Sequence, residues 1–120
     1  MTTDNRSKGL EIIEPMWGQV KPGVGSKAAF TELTIDYLFG QIWSRSGLGL
    51  RDRSLVTVAT LAALGRLPEL RYHLVGALAN GVTEKELEEL LIHIAHYAGW
   101  PAGNAGLSIL VEVLSEHAKE

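Results

Sequence analysis

The feature that most restricts the fold is an apolar run of thirteen residues, RSLVTVATLAALG, which contains no turn residue before Gly65. Its β-branched residues would also suit a buried strand, but this length without a turn signal favours a helix. Asp52 is expected to cap the start of the helix, and Gly65 is a natural residue to end it. Because the run is apolar on nearly every side, the helix must lie at the centre of the fold.

Around this central helix the apolar spacing predicts an all-α fold, a single-domain helical bundle of about five to six helices. The other predicted elements are a short helical or irregular arm ending in the loop KPGVGS, an amphipathic helix from Ala28 to Trp43 with Gly40 as a weak point, a helix from Pro68 to about Asn80, one from Thr83 to Gly99, and a last one from about Ala102 to Ala118. The strongest local signal is the capping box of Thr83 and Glu86, whose side chains each satisfy an orphan backbone N–H. We therefore divide the chain into an N-terminal arm and loop, residues 1–26, and a helical domain, residues 27–120.

The amount of apolar surface predicts self-association. The last helix carries apolar residues over a wider arc than one neighbour can cover, and the arm contributes the further apolar cluster Ile12, Ile13, Met16, Trp17 and Val20. In a chain of 120 residues, part of this surface must be covered by other subunits. We expect an obligate homo-oligomer.

Composition excludes several classes of function. The chain has no cysteine, so disulfides, thiol redox chemistry and thiolate metal sites are excluded. Its net charge of −3 argues against nucleic acid as a partner. No segment resembles a signal peptide or a bilayer span, and neither Gly-x-Gly segment has the context of a phosphate loop. We expect a cytoplasmic protein with no membrane partner, no metal and no organic cofactor.

Glu69 and His73 form the first candidate site. They lie at i and i+4 of a predicted helix and are therefore neighbours on its surface. In the functional interpretation His73 is a general acid or base, and Glu69 orients or charges it. In the structural interpretation they are a surface pair worth a few tenths of a kcal/mol at most.

A second candidate site is the segment HIAHYAGW. His93, His96, Tyr97 and Trp100 share one face if the helix reaches Trp100, and polar-tipped rings gathered there can line a pocket. The alternative is packing, with a hydrogen-bonded tip on each ring. Two histidines at i and i+3 without a nearby third ligand are a weak signal for a metal.

The loop RSGLGLRDRS supplies the candidate carboxylate clamps Arg45 and Arg53, because a guanidinium group binds a carboxylate through two hydrogen bonds. The alternative is that these arginines are solvated or pair with acidic residues of the same chain. For Arg51 the alternative is favoured, with Asp52 or a helix glutamate as the partner.

The runs WSRSGL, RDRSL, LAALGR, ELRYH, GALANGVT and YAGWPA occur in this order and resemble the carboxymuconolactone decarboxylase family over about Gly9 to Leu114. The resemblance implies an alkyl hydroperoxidase-like helical fold that assembles as a ring-like oligomer, commonly a hexamer. The peroxidase branch of this superfamily uses a glutamate, a C-x-x-C pair and a histidine. The corresponding positions here hold Ser54, Arg66, Glu69 and His73, so thiol peroxidase chemistry is excluded.

The decarboxylase branch implies cofactor-free loss of CO₂ from a carboxylated lactone in aromatic-compound degradation. The implied catalytic residues are Glu69, His73, His93 and Tyr97, and the implied substrate-binding residues are Arg45, Arg53, His96 and Trp100. His96 replaces an apolar residue expected in typical decarboxylases, and the arm is less similar to the family, so a related keto acid or lactone is also a candidate substrate. The alternative function is a noncatalytic helical assembly that binds a small acidic ligand or a partner protein.

Overall fold

The computed structural model describes residues 3–119, which form six α-helices and no strand. The helices are α1 (Thr3–Trp17), α2 (Ala28–Leu33), α3 (Leu50–Leu64), α4 (Leu67–Ala79), α5 (Glu84–Ala98) and α6 (Trp100–Ala118), with a 3₁₀ turn over Gly25–Lys27 and a π-helix over Thr34–Trp43. The predicted all-α class with five to six helices is confirmed. The chain divides into two compact units, one ending at Leu50 and the other beginning at Arg51.

The first unit is built on the contact between α1 and the π-helix. Its core contains five buried residues, Ile12, Ile13, Met16, Phe39 and Trp43. The apolar cluster of the arm is therefore covered within this unit, so it is not part of the surface expected to be covered by other subunits, and the arm is helical up to Trp17. The predicted helix from Ala28 to Trp43 is present over its whole length, although its second part is π-helical.

Glycines set the distance between α1 and the π-helix. A Cβ atom on Gly9 would lie 2.1 Å from the carbonyl oxygen of Ile35, and one on Gly40 would lie 2.3 Å from that of Asn5. The two backbones can approach this closely only where side chains are absent. Gly40 was expected to be a weak point of the helix. It lies within a continuous helix, where it allows this close contact with α1.

The second unit has its own core, formed by α3 to α6. Leu70, Leu74, Leu87 and Leu91 have no exposed surface, and Val58 of α3 is buried with them. The capping box of Thr83 and Glu86 is present, which confirms the strongest local prediction. The predicted cap at Asp52 is wrong, because α3 already begins at Leu50 and Asp52 lies in its first turn.

The helix ends of this unit follow backbone chemistry. Gly65 follows α3 with φ of +71°, and Gly99 separates α5 from α6 with φ of +112°, values that disfavour any residue with a side chain. The last helix begins at Trp100, two residues earlier than expected. Near its start α6 packs tightly on α5, since a Cβ on Gly103 would lie 2.4 Å from that of Ala95.

Candidate functional site

His73 is the half-buried histidine at the middle of α4. Its neighbours along the chain include Leu74, which is fully buried, and Tyr72, whose ring lies edge-on at a centroid distance of 6.0 Å. Burial lowers the pKa of His73 from 6.5 to about 4, because the charged imidazolium loses hydration. The imidazole is therefore neutral at pH 7 in the protein without substrate.

Glu69 lies one turn before His73, near the start of α4. Its carboxylate Oε1 accepts a hydrogen bond from Nε of Arg66 at 3.2 Å, and 45% of the side chain is exposed. The structure thus adds Arg66 to the predicted pair. The spacing of Arg66 and Glu69, three residues apart, was the available signal for this contact.

The rings of the segment HIAHYAGW form two pairs. His93 lies beside Tyr97 with ring centroids 5.1 Å apart, and His96 lies edge-on to Trp100 at 5.6 Å. Because α5 ends at Ala98, Trp100 belongs to the next helix, and the expected single face is interrupted at Gly99. Tyr97 is 82% exposed and Trp100 68% exposed, so these rings lie on the surface of the protomer.

The hydrogen bonds of His96 restrict its possible chemistry. One ring nitrogen, Nδ1, lies 2.9 Å from the carbonyl oxygen of Ile92, so this nitrogen carries the proton when the ring is neutral. Nε2 is then the acceptor of the ring. In this state His96 can accept a hydrogen bond from a ligand, and it can donate one at Nε2 only when it is charged.

The three arginines singled out from the sequence have different surroundings. Arg51 forms a close ion pair with Glu86, as the structural alternative predicted. This pair, together with the hydrogen bonds from Thr83, lowers the pKa of Glu86 from 4.5 to about 2. Arg53 lies half-buried on α3, while Arg45 lies in the first unit after the π-helix.

Arg45 borders an open cavity of about 360 Å³ that lies entirely within the first unit. Lys8, Glu11, Ile12, Trp43 and Leu48 are among the other residues that line it. Sequence reasoning selected Arg45 but missed the cavity. Lys8 and Ile12 are four residues apart on α1, which indicates that they share one face of the helix. This spacing does not show what that face borders.

Two further findings concern residues 3–119 as a whole. No group of three or more histidine, aspartate or glutamate side chains in this range is arranged to hold a metal ion. None of the helices described is long and apolar enough to cross a bilayer.

The comparison with known families decides the classification. The sequence model of the carboxymuconolactone decarboxylase family matches residues 28–112, which is more than half of the chain. The chain belongs to the carboxymuconolactone decarboxylase family. All eight residues selected from the sequence as catalytic or substrate-binding fall inside the matched segment, whereas α1 lies outside it.

Two relatives that the chain resembles in sequence are named as decarboxylases. The 4-carboxymuconolactone decarboxylase of Acinetobacter baylyi is 50% identical over 80 residues, a match that covers 67% of this chain and 60% of that protein. The nitrosuccinic acid decarboxylase of Metarhizium robertsii is 39% identical over 101 residues, covering 79% of this chain and 71% of that protein. An uncharacterized protein of Paracoccus denitrificans is 32% identical over 88 residues, covering 72% and 66%.

Proposed function

We propose that this protein is a cofactor-free decarboxylase acting on a small carboxylated lactone or a related acid in aromatic-compound degradation. Its place in the carboxymuconolactone decarboxylase family is the observation that carries the proposal, because two relatives with different substrates are both named as decarboxylases. The half-buried His73, one turn from the carboxylate of Glu69, supplies a group suited to the proton transfer that this reaction needs.

The proposed reaction needs one proton, which is added to the carbon that loses CO₂. The carbon–carbon bond to the carboxylate breaks, CO₂ leaves, and the electron pair is delocalised into a conjugated acceptor before the carbon is protonated. In the empty protein His73 is neutral and holds no spare proton at pH 7. An anionic substrate near the imidazole favours its charged form and raises its pKa, so His73 takes up a proton as the substrate binds and delivers it to the carbanion.

The two relatives suggest a narrower substrate class. Carboxymuconolactone and nitrosuccinic acid each carry two carboxyl groups and one electron-withdrawing group, a lactone in the first and a nitro group in the second. Such a compound loses one carboxylate and keeps the other. We propose that Arg53 of the second unit holds the retained carboxylate, and that His93, His96, Tyr97 and Trp100 of the same unit surround and polarise the electron-withdrawing group.

We also propose that the working form is a homo-oligomer, as a hexamer or a trimer. Large apolar side chains are exposed in both units, among them Phe30 at 70%, Leu64 at 69%, Trp100 at 68% and Val111 at 67%. Apolar surface on this scale is typical of protein contacts. Subunit association would also enclose the exposed Tyr97 and Trp100, which a site that excludes water requires.

The test is an assay of CO₂ release and ultraviolet absorbance with carboxymuconolactone, nitrosuccinic acid and a small panel of related β-keto and lactone acids. Replacing His73 by Ala or Gln is expected to lower kcat at least about 100-fold, the usual size of a proton-transfer contribution. The matched control is His117→Gln, which removes an exposed imidazole at the end of α6. Unchanged turnover in both His73 variants would remove this residue from the mechanism.

A second candidate function is noncatalytic binding of a small acidic ligand, which is favoured by the cavity beside Arg45 and Lys8. The same panel separates the two functions. Saturable binding of several acids without CO₂ release from any of them would support the binding protein over the decarboxylase.

A further inference from the structure

We propose that Arg66 determines the substrate specificity of the site around His73, because its guanidinium binds the carboxylate that a dicarboxylate substrate loses. The inference deepens the proposed function. It rests on the proposed function for the identity of the acid, for the fate of this carboxylate and for Arg53 as the residue that holds the retained one. The residues concerned all lie in the second unit.

Arg66, Glu69 and His73 follow one side of α4. Their spacing of i, i+3 and i+7 places them in a row along a helix. The guanidinium of Arg66 reaches the carboxylate of Glu69 at 3.2 Å, so its side chain runs along the helix towards His73. Seven residues correspond to about 10 Å of helix, and an extended arginine side chain covers much of this distance. A small acid can therefore contact the guanidinium and the imidazole together.

The guanidinium of Arg66 is only partly used by the chain itself. The contact with Glu69 is made by Nε, and Nη1 and Nη2 take no part in it. The Arg66 side chain is 65% exposed. The two parallel N–H groups at the end of a guanidinium match the two oxygens of a carboxylate. A substrate carboxylate can thus bind at this end while Glu69 holds Nε and orients the group.

Arg51 and Arg71 of the same unit differ from Arg66 in this respect. Arg51 forms a close ion pair with a glutamate of α5. Arg71 donates from Nη2 to Glu112 at 2.8 Å and from Nη1 to Glu116 at 3.2 Å. These two arginines already use their Nη groups to hold carboxylates of the chain. Arg66 has both Nη groups directed to no glutamate, which suits it to a carboxylate from outside.

Arg66 and Arg53 lie at opposite ends of the hairpin formed by α3 and α4. Asn80, which follows α4, donates from Nδ2 to Oγ of Ser54 at 3.0 Å, so the start of α3 lies beside the end of α4. The two helices are therefore antiparallel, and Arg66 lies in the turn that connects them. His73 is seven residues from Arg66 and seven from Asn80. A substrate with a carboxylate at each end is expected to lie along this hairpin, with its reacting carbon near His73.

Binding the departing carboxylate has a kinetic consequence. The group loses its charge as CO₂ forms, so its attraction to Arg66 is strongest before the carbon–carbon bond breaks. Arg66 therefore contributes to substrate binding more than to the chemical step, unlike His73, whose loss lowers kcat. In the assay of CO₂ release, Arg66→Gln is expected to raise KM at least about tenfold and to change kcat by less than about threefold.

The first experiment compares two unreactive acids by calorimetric titration of the full-length protein. Succinate carries two carboxylates, and propionate is the same acid with one of them replaced by hydrogen. The wild-type protein is expected to bind succinate at least about tenfold more tightly, which is the usual size of one charge-assisted contact. Arg66→Gln should remove most of this preference, and Arg66→Lys, which keeps the charge, should restore part of it.

Arg71→Gln is the matched control, because it removes an arginine of the same helix whose Nη groups are already paired. It is expected to keep the preference for succinate even if it lowers the stability of the protein. Circular dichroism checks that each variant is folded. Equal affinity of the wild type for the two acids, a preference unaffected by Arg66→Gln, or loss of the preference in both variants would overturn the inference.

The two proposals fail in different ways. A preference for succinate that depends on Arg66, in a protein that releases no CO₂ from any acid, supports the carboxylate site and rejects the decarboxylase. Turnover by Arg66→Gln with an unchanged KM rejects the role of Arg66 and leaves the decarboxylase in place.

Discussion

Acid should destabilise this protein through His73, and removing that imidazole should relieve the effect. The pKa of His73 is about 4 in the folded chain and 6.5 without burial. Between these two values the unfolded chain binds a proton that the folded chain does not, so stability falls as the pH falls. Each pH unit in this window costs about 1.4 kcal/mol, which gives a loss of roughly 3 kcal/mol by pH 4.

The measurement is urea unfolding followed by helical circular dichroism, from pH 7 down to pH 4, at one protein concentration. His73→Gln has no ionisable group at this position and is expected to lose roughly 3 kcal/mol less than the wild type across this range, whatever its stability at pH 7. Carboxylates that titrate at low pH affect both proteins and cancel in the difference. His117→Gln, which removes an exposed histidine, serves as the control for a change in histidine number.

The result also bears on the proposed mechanism. If the stability difference between wild type and His73→Gln stays constant from pH 7 to pH 4, burial does not lower the pKa of this imidazole. The argument that His73 is neutral until an anionic substrate binds would then be wrong. An NMR titration of the His73 ring gives the same answer directly, with a midpoint near 4 expected and a midpoint near 6.5 contradicting it.

Two further predictions concern the ion pair of Arg51 with Glu86 in the second unit and the helix contact at Gly9 in the first. Glu86→Gln keeps the capping hydrogen bonds but loses the ion pair with Arg51. As the pH falls from 4.5 to about 2, the free energy of unfolding should therefore decrease less in Glu86→Gln than in a Glu84→Gln control. Equal acid sensitivity of the two variants in urea unfolding would contradict the lowered pKa of Glu86. Gly9→Ala should destabilise the chain by about 1–3 kcal/mol through the clash with the opposing backbone, although alanine is the better helix former. Gly47→Ala, where a Cβ meets nothing within 4 Å, should stay within about 0.5 kcal/mol, and equal unfolding midpoints for the two alanine variants would refute the close helix contact.

Local backbone chemistry allowed the helices of the second unit to be placed from the sequence. Gly65 and Gly99 end helices because residues with a side chain avoid the backbone angles found there. Thr83 and Glu86 begin α5 because their side chains satisfy backbone groups within three residues. These interactions depend on neighbours in the chain, so no knowledge of the fold was needed.

The same local reasoning found Glu69 and His73, and His93 and Tyr97, as neighbours, because residues four apart on a helix are close in any fold. It placed Asp52 at a cap and began the last helix at about Ala102, whereas Asp52 lies in the first turn of α3 and α6 begins at Trp100, because helix ends are less well defined than helix interiors. The resemblance carried by six short motifs predicted the family, which the match over residues 28–112 confirms.

The properties that govern the proposed chemistry depend on contacts between residues far apart in sequence. The neutrality of His73 follows from desolvation, the tight crossing at Gly9 and Gly40 from the path of two helices, and the cavity beside Arg45 from the packing of α1 on the π-helix. Burial and cavities exist only once surfaces meet in three dimensions. The sequence alone therefore determined the helices, the family and the candidate side chains, and the tertiary structure decided their protonation and the space around them.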